Sequence, residues 1–276
     1  MEIVHTIHLL EELDQMLIDL LSSLSEKKWQ SKTSSSSWTV KDIAVHLLDG
    51  NLRTLSMLRD GFYGEFPENG KTYDGMVQFL NRLNSDWTVA MKRLSPQVII
   101  DLLKSSGKEY REYLYSLEMD DTAVFAVQWM GNEETLNWMH IAREYTEKWH
   151  HQQQIVEATI ENSELLKSRY MRPYLETSML AVPYHYKSVT ADEGKSLSIE
   201  VSGLNFNSFW TIQSDGSLWK FVESNFKVNS QIKIPAHVIW KVFSKQIGFK
   251  EALNQVQISG DRLLAIHILK MVAVMA

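Results

Sequence analysis

Apolar residues in the first part of the chain recur at intervals of three and four, the period of an amphipathic helix. Residues 3–24 follow this period and predict a first helix that runs to about Ser25. After a serine-rich loop, Thr39 is placed to cap a second helix, and Asp42 stands at the capping-box position three residues later. This second helix carries His46 about two turns from its start.

Three further helices are predicted before residue 170. One covers about residues 73–94, and Ser95-Pro96 then supplies an N-cap and a first-turn proline for a helix that continues toward Leu117. The last long helix is predicted from near Asn132 to beyond Ile160. Five helical segments, the third and fourth nearly contiguous, suit an antiparallel helical bundle.

The pattern changes from about Met171, where prolines and turn residues separate runs of alternating polarity. Strand-like runs cover residues 197–201, 209–212, 217–221 and 231–234. Asp215-Gly216 predicts a hairpin between the second and third runs. Residues 235–243 and 261–274 are predicted as helices. We therefore predict an N-terminal helical bundle, residues 1–168, followed by a smaller α+β domain, residues 169–276.

The composition argues against several classes of partner and of chemistry. A net charge of −6 and a pI near 5.9 offer no attraction for nucleic acid or anionic lipid. The N-terminus lacks the basic and apolar regions of a signal peptide, and the longest late apolar run is too short to span a membrane. The chain contains no cysteine, so it has no thiolate to act as a metal ligand and no cysteine nucleophile. We expect a cytoplasmic protein, monomeric or homodimeric, with no nucleic acid or membrane partner.

Four ionisable residues share one face of the last long helix. His140, Glu144, Glu147 and His151 are separated by four, three and four residues, and at about 100° per residue they fall within a stripe about 60° wide. Buried without partners, such groups would cost several kcal/mol each, so they must be solvated, paired or bound to a metal. His150 points about 100° away from His151 and is expected at the surface or facing a substrate.

A metal site is one interpretation of this stripe. Glu147 and His151 lie one turn apart and are able to hold one ion, and His46, on an otherwise apolar helix, is the natural third ligand. Two imidazoles and one carboxylate leave positions open for water or substrate, as in catalytic zinc sites. The alternative is a partly buried histidine and a solvated Glu147–His151 ion pair.

Two motifs carry a family resemblance. The segment from Trp38 through His46 and the segment from Glu147 through His151 to the following glutamines resemble the metal-binding domain of the DinB-like superfamily, and within it the mycothiol-dependent maleylpyruvate isomerases. Residues 81–96 and 256–265 are also similar to this family, the latter to its small sterol-carrier-like C-terminal domain. The resemblance implies a DinB-like four-helix bundle with His46, Glu147 and His151 as metal ligands.

The resemblance also implies chemistry. We expect a divalent metal, zinc or alternatively nickel, and a low-molecular-weight thiol cosubstrate acting with a small organic substrate in cis–trans isomerisation or thiol transfer. Glutamines replace the aspartate that usually follows the second histidine motif, so the supporting carboxylate is either missing or supplied by Glu144. Glu144 is alternatively a ligand in place of Glu147. Arg262 is the predicted contact for an anionic thiol or substrate, unless it only balances Asp261.

Two other functions remain open at this level. A metal-dependent hydrolase of the same superfamily would use metal-activated water, with Glu144 as the base. A non-catalytic metal-binding stress-response protein would keep the bundle without turnover. Turnover in the absence of any thiol favours the hydrolase, and full metal occupancy without ligand-dependent chemistry favours the binding protein.

Overall fold

The structure is a computed structural model that describes residues 3–35, 38–67, 72–127, 130–131, 134–160, 163–223 and 226–274. The chain forms two compact units. The helical unit comprises His5–Val124 and Leu136–Ser163, and the sheet unit comprises Glu164–Val274 together with Phe125–Thr135. The domain boundary predicted after residue 168 stays a prediction.

The helical unit is built from one short and five longer helices in its described part. They are α1 (Leu10–Ser23), α2 (Glu26–Trp29), α3 (Val40–Thr54), α4 (Tyr73–Met91), α5 (Pro96–Tyr115) and α6 (Asn137–Thr159). A π-helical turn, Leu55–Arg59, continues α3 directly. The short α2 is an addition to the five helices predicted from the sequence.

The predicted helix starts of α3 and α5 are confirmed. The Thr39 side chain accepts a hydrogen bond from the Asp42 backbone, and the Asp42 carboxylate accepts one from the Thr39 backbone. Ser95 caps α5 ahead of Pro96. The start of α6 was predicted too early: α6 begins at Asn137, and Asn132 lies outside the described residues.

The core of the helical unit lies where α1, α3 and α5 pack together, joined by the C-terminal part of α6. Its buried residues include Leu17, Leu21, Ile43, Leu47, Ile99, Leu103 and Ile155. Apolar residues at intervals of three and four place these side chains on one stripe of each helix, and their burial drives the assembly of the helices. Among the described residues, no helix combines the length and apolar character needed to cross a bilayer.

The sheet unit contains a five-stranded mixed sheet and several short helices. The strands are β1 (Ser196–Gly203), β2 (Phe206–Ser214), β3 (Trp219–Phe221), β4 (Ser230–Pro235) and β5 (Gln257–Gly260), in the order β3-β2-β1-β4-β5. The helices are α7 (Ser168–Met179), α8 (Val182–His185), α9 (Ala236–Phe243), α10 (Phe249–Leu253) and α11 (Arg262–Ile266). Only β1 and β4 pair in parallel among these strands. The predicted fold class, a helical bundle followed by an α+β domain, is confirmed.

Three features of the sheet unit differ from what the sequence pattern indicated. Residues around Pro173 form helix α7, because buried Met171, Tyr174 and Leu175 offset the hydrogen bond that proline removes. Gln257–Gly260 forms an edge strand that was not predicted. The closing helix predicted over residues 261–274 ends at Ile266 and continues only as a 3-10 turn, His267–Lys270.

Candidate metal centre

The structure brings together the three residues proposed from the sequence as metal ligands. His46 comes from α3, and Glu147 and His151 lie one turn apart on α6. Oε1 of Glu147 lies 3.2 Å from Nε2 of His46 and 3.2 Å from Nε2 of His151. One ligand atom from each residue lies within 4.8 Å of the other two.

These distances fit a single divalent ion. Donor atoms held about 2.1 Å from one tetrahedral ion lie about 3.4 Å apart, close to the two spacings of 3.2 Å from Glu147 to the histidines. Two nitrogens and one oxygen form a donor set that suits zinc and several other transition metals. The residues present therefore fit the metal that the resemblance implies.

The centre is buried on the histidine side and open on the glutamate side. His46 and His151 are each 8% exposed, whereas the Glu147 side chain is 41% exposed. The indole of half-buried Trp38 stacks on His151 at 5.9 Å between ring centroids and lies 4.9 Å from the His46 ring. Trp38 thus covers both imidazoles and restricts their rotation, while Glu147 faces the opening.

Gln154 orients His151. Nδ1 of His151 lies 2.9 Å from Oε1 of Gln154, one turn further along α6. Because an amide oxygen only accepts hydrogen bonds, Nδ1 carries a proton, and Nε2 is the ring nitrogen that faces Glu147 and is placed to bind a metal. An amide oxygen of Gln154 therefore stands where a supporting carboxylate would, so of the two alternatives the carboxylate is missing here and is not supplied by Glu144.

The protonation states at the centre suit cation binding. Burial, followed by the charge of His151, lowers the pKa of His46, although the hydrogen bond to Glu147 opposes this. Burial would raise the pKa of Glu147, but the His151 and His46 contacts outweigh it and lower that pKa well below its ordinary value. A neutral imidazole and an ionised carboxylate are the ligand forms that bind a metal. Nδ1 of His46 is buried without a hydrogen-bond partner among the described residues.

Glu144 belongs to a neighbouring network and not to the ligand group. Its Oε2 accepts a hydrogen bond of 2.8 Å from the Tyr110 hydroxyl, and its Oε1 accepts one from Arg143. Burial would raise the pKa of Glu144, but Arg143 and its other partners lower it. Nδ1 of His140 accepts a hydrogen bond from Arg143 at 3.2 Å and lies 3.9 Å from Glu144. Glu144 is held as a charged, fully partnered carboxylate.

His150 corrects one expectation. It is 4% exposed, not at the surface, and its Nδ1 donates a hydrogen bond of 2.9 Å to the carbonyl of Thr146. Burial and the charge of His151 lower its pKa to about 3. Its ring lies 4.0 Å from that of His151, so it packs against this candidate ligand.

A second buried network lies next to Glu147 on α6. Nζ of Lys148 donates to Oδ1 of Asp14 and to Oδ1 of Asn51, both at 2.9 Å. Arg111 pairs with the other oxygen of Asp14. These contacts tie α6 to α1, α3 and α5 beside the centre.

Arg262 lies in the sheet unit, where it is exposed at the first residue of α11. The alternative that Arg262 balances Asp261 is not what the structure shows, because Asp261 pairs with Nζ of Lys195 at 3.0 Å and caps α11 itself. A role for Arg262 toward an anionic ligand stays a prediction.

Sequence reasoning missed several residues around the centre. Gln154 is three residues after His151, Arg143 four before Glu147, and Arg53 seven after His46. All three spacings place a residue near the ligand face of its helix, so helical periodicity was the signal that could have found them. Tyr110, from α5, had no such signal.

Residues 10–156 match the family model described as the mycothiol maleylpyruvate isomerase N-terminal domain. A search of curated proteins gives no match. A crystal structure of the mycothiol-dependent maleylpyruvate isomerase is 11% identical with a TM-score of 0.55, and that of a histidine-to-alanine mutant is 10% identical with a TM-score of 0.54.

Both alignments cover 94% of this chain and 93% of the other. At this low identity the likeness shows a shared fold. The family model, in contrast, covers more than half of the 276 residues. The chain therefore belongs to the family defined by the mycothiol maleylpyruvate isomerase N-terminal domain.

Proposed function

We propose that this protein is a metal-dependent enzyme that uses a low-molecular-weight thiol, in the manner of a maleylpyruvate isomerase or a thiol transferase. The observation that carries the proposal is the convergence of His46 and His151 on one oxygen of Glu147 in a member of this family. The absence of cysteine from the chain agrees with a thiol supplied from outside.

The three residues would hold a divalent metal, with zinc as the first candidate and nickel as the second. When bound, such a cation supplies Lewis acidity that favours the thiolate form of a thiol. The thiolate sulfur bonds to one carbon of the cis double bond while the π electron pair moves onto the carbonyl conjugated with that bond. The resulting single bond rotates, the electron pair returns, and the trans double bond forms as the carbon–sulfur bond breaks and the thiolate leaves. The protein holds its ligands fixed: Gln154 and Trp38 orient His151, and the exposed side of Glu147 leaves access for thiol and substrate.

The state of Glu144 favours this reaction over hydrolysis. A general base works best when its pKa is near the working pH. The contacts with Arg143 and Tyr110 instead lower the pKa of Glu144 below its ordinary value. We therefore assign Glu144 the role of positioning Arg143. Arg262 remains the predicted contact for an anionic thiol or substrate.

The first experiment measures the amount of metal bound by the protein. Elemental analysis of the purified, chelator-rinsed protein after reconstitution should give about one equivalent of zinc or nickel, and His151→Ala should lose it. His237→Ala, which changes an exposed histidine of α9, is the matched control and should retain the metal. No bound metal in the wild-type protein would contradict the proposal.

The second experiment tests the thiol. Mycothiol or glutathione added to the cobalt-substituted protein should produce a thiolate-to-cobalt absorption band that His151→Ala lacks, and maleylpyruvate should isomerise only when thiol is present. Ester or amide turnover without thiol would instead support a hydrolase. Full cobalt occupancy with no spectral response to thiol and no turnover would support a binding protein.

A further inference from the structure

Each of the two helices that carry the candidate ligands also carries an arginine near the same face. Arg53 follows His46 by seven residues on α3, and Arg143 precedes Glu147 by four on α6. At about 100° per residue, each arginine points within about 40° of the ligand on its own helix.

Both arginines lie on the same side of the centre. Trp38, just before α3, contacts His151, and Asn51, near the end of α3, contacts Lys148, three residues earlier on α6, so later residues of α3 face earlier residues of α6. Moving from His46 to Arg53 along α3 therefore runs in the same direction as moving from Glu147 to Arg143 along α6. With a rise of about 1.5 Å per residue, the two backbones are about 10 and 6 Å from their ligand residues.

Each guanidinium group contacts an acidic side chain but keeps some of its nitrogens without a hydrogen-bond partner among the described residues. Nε of Arg53 lies 2.8 Å from Oδ2 of Asp49, and its side chain is 32% exposed. Nη2 of Arg143 contacts His140 and Glu144, and its side chain is 29% exposed. Among the described residues, both Nη atoms of Arg53 and the Nε and Nη1 atoms of Arg143 have no hydrogen-bond partner.

Open space lies between His46 and Arg53. Gly50, one turn after His46, has no described heavy atom within 4 Å of where a Cβ would stand, apart from its own helix backbone and chain neighbours. Glycine inside a helix costs about 1 kcal/mol relative to alanine. The bare backbone thus leaves room on the ligand face of α3.

We propose that Arg53 and Arg143 form a carboxylate-binding subsite beside the candidate metal centre and select organic dianions, in particular dicarboxylates. Guanidinium groups match carboxylates in charge and planar geometry and bind them with two parallel hydrogen bonds. Asp49 and Glu144 orient the two arginines from the inner side and leave their outer nitrogens for a ligand. The choice of an unsaturated diacid as ligand rests on the proposed function.

The test is equilibrium binding of the cis-dicarboxylate maleate, measured by calorimetry on zinc-loaded and metal-free protein. Arg53→Gln and Arg143→Gln should each weaken maleate binding about tenfold, and the double variant more than either. Arg82→Gln, which changes an exposed arginine of α4 with its own acidic partners Glu65 and Asp86, is the control and should bind as the wild type does. Maleamate, which has one carboxylate, should bind more weakly than maleate.

A second variant does not touch the arginines. Gly50→Leu fills the open space and should weaken maleate binding, while Gly50→Ala should weaken it less. Zinc content and circular dichroism establish that each variant is folded, and Arg53→Lys and Arg143→Lys replace any glutamine variant that is not. Maleate affinities of the folded arginine variants within twofold of wild type, or no maleate binding by wild type at about ten millimolar, would overturn the subsite.

Failure of the subsite and of the proposed function give different results. Maleate binding requires neither thiol nor turnover. Arginine-dependent maleate binding without any thiol response contradicts the thiol reaction and supports the subsite. A thiol response in cobalt protein with arginine-independent maleate binding supports the thiol reaction and overturns the subsite.

Discussion

Nδ1 of His151 donates a hydrogen bond of 2.9 Å to Oε1 of Gln154 within the same helix. This contact orients the imidazole, so that Nε2 faces Oε1 of Glu147, 3.2 Å away. An amide oxygen here leaves the site with less negative charge than a carboxylate would. The contribution of this hydrogen bond to metal affinity can be measured directly.

Replacing Gln154 should change metal affinity without removing a ligand. Gln154→Leu deletes the acceptor and should weaken zinc binding about 10- to 100-fold, the usual effect of losing such a partner. Gln154→Glu restores a carboxylate acceptor and should bind zinc at least as tightly as wild type. Competition with a chromogenic chelator measures both, and equal affinity of Gln154→Leu and wild type would contradict this role.

At Gly50, we expect a side chain to increase the stability of the helical unit but to restrict access of a ligand. Gly50→Ala should raise the free energy of unfolding by about 0.5–1 kcal/mol, because alanine favours the helix and meets no neighbouring atom. Urea unfolding measures the change. A loss of stability in Gly50→Ala would show that the space beside His46 is not open.

Asp14 should be necessary for the stability of the helical unit. Asp14→Ala leaves the buried Lys148 and the partly buried Arg111 without their carboxylate partner, which should lower the free energy of unfolding by about 3–5 kcal/mol. Asp19→Ala, an exposed change on the same helix, should cost less than about 0.5 kcal/mol. Equal effects of the two substitutions in thermal or urea unfolding would contradict the importance of the buried network.

Acid stability should depend on His140. Burial, and then the Arg143 cation, lower the pKa of this 3% exposed imidazole from 6.5 to about 4, against the effect of Glu144. As the pH falls below 6.5, the unfolded chain therefore takes up a proton that the folded protein does not. His140 thus destabilises the fold progressively from pH 6.5 to about 4, has no effect above this range, and adds nothing further below it.

The measurement is urea unfolding of metal-free protein at pH 7 and pH 4.5. His140→Gln removes the titrating group, so it should lose less stability between the two pH values than wild type, by a difference on the order of 2 kcal/mol. His237→Gln changes an exposed imidazole and should behave like wild type. An unchanged pH dependence in His140→Gln would show that His140 does not resist protonation.

The sequence by itself determined most of the helices and the identity of the candidate ligands. Capping residues such as Thr39 and Ser95 act within one turn, and the four-residue spacing of Glu147 and His151 places them on one face whatever surrounds the helix. These are local properties, and local properties can be read from a single sequence. The strands joined by the Asp215-Gly216 turn were predictable for the same reason.

The tertiary structure decided what depends on contacts between distant segments. Assembly of the bundle buried His150. Packing between α5 and α6 brought Tyr110 within hydrogen-bonding distance of Glu144, so that Glu144 pairs with Tyr110 and is not part of the candidate metal centre. Pairing with β4 made Gln257–Gly260 a strand, although its sequence has no strong strand signal. Such outcomes depend on desolvation and on partners many residues away, which the spacing of residues within one helix or strand does not specify.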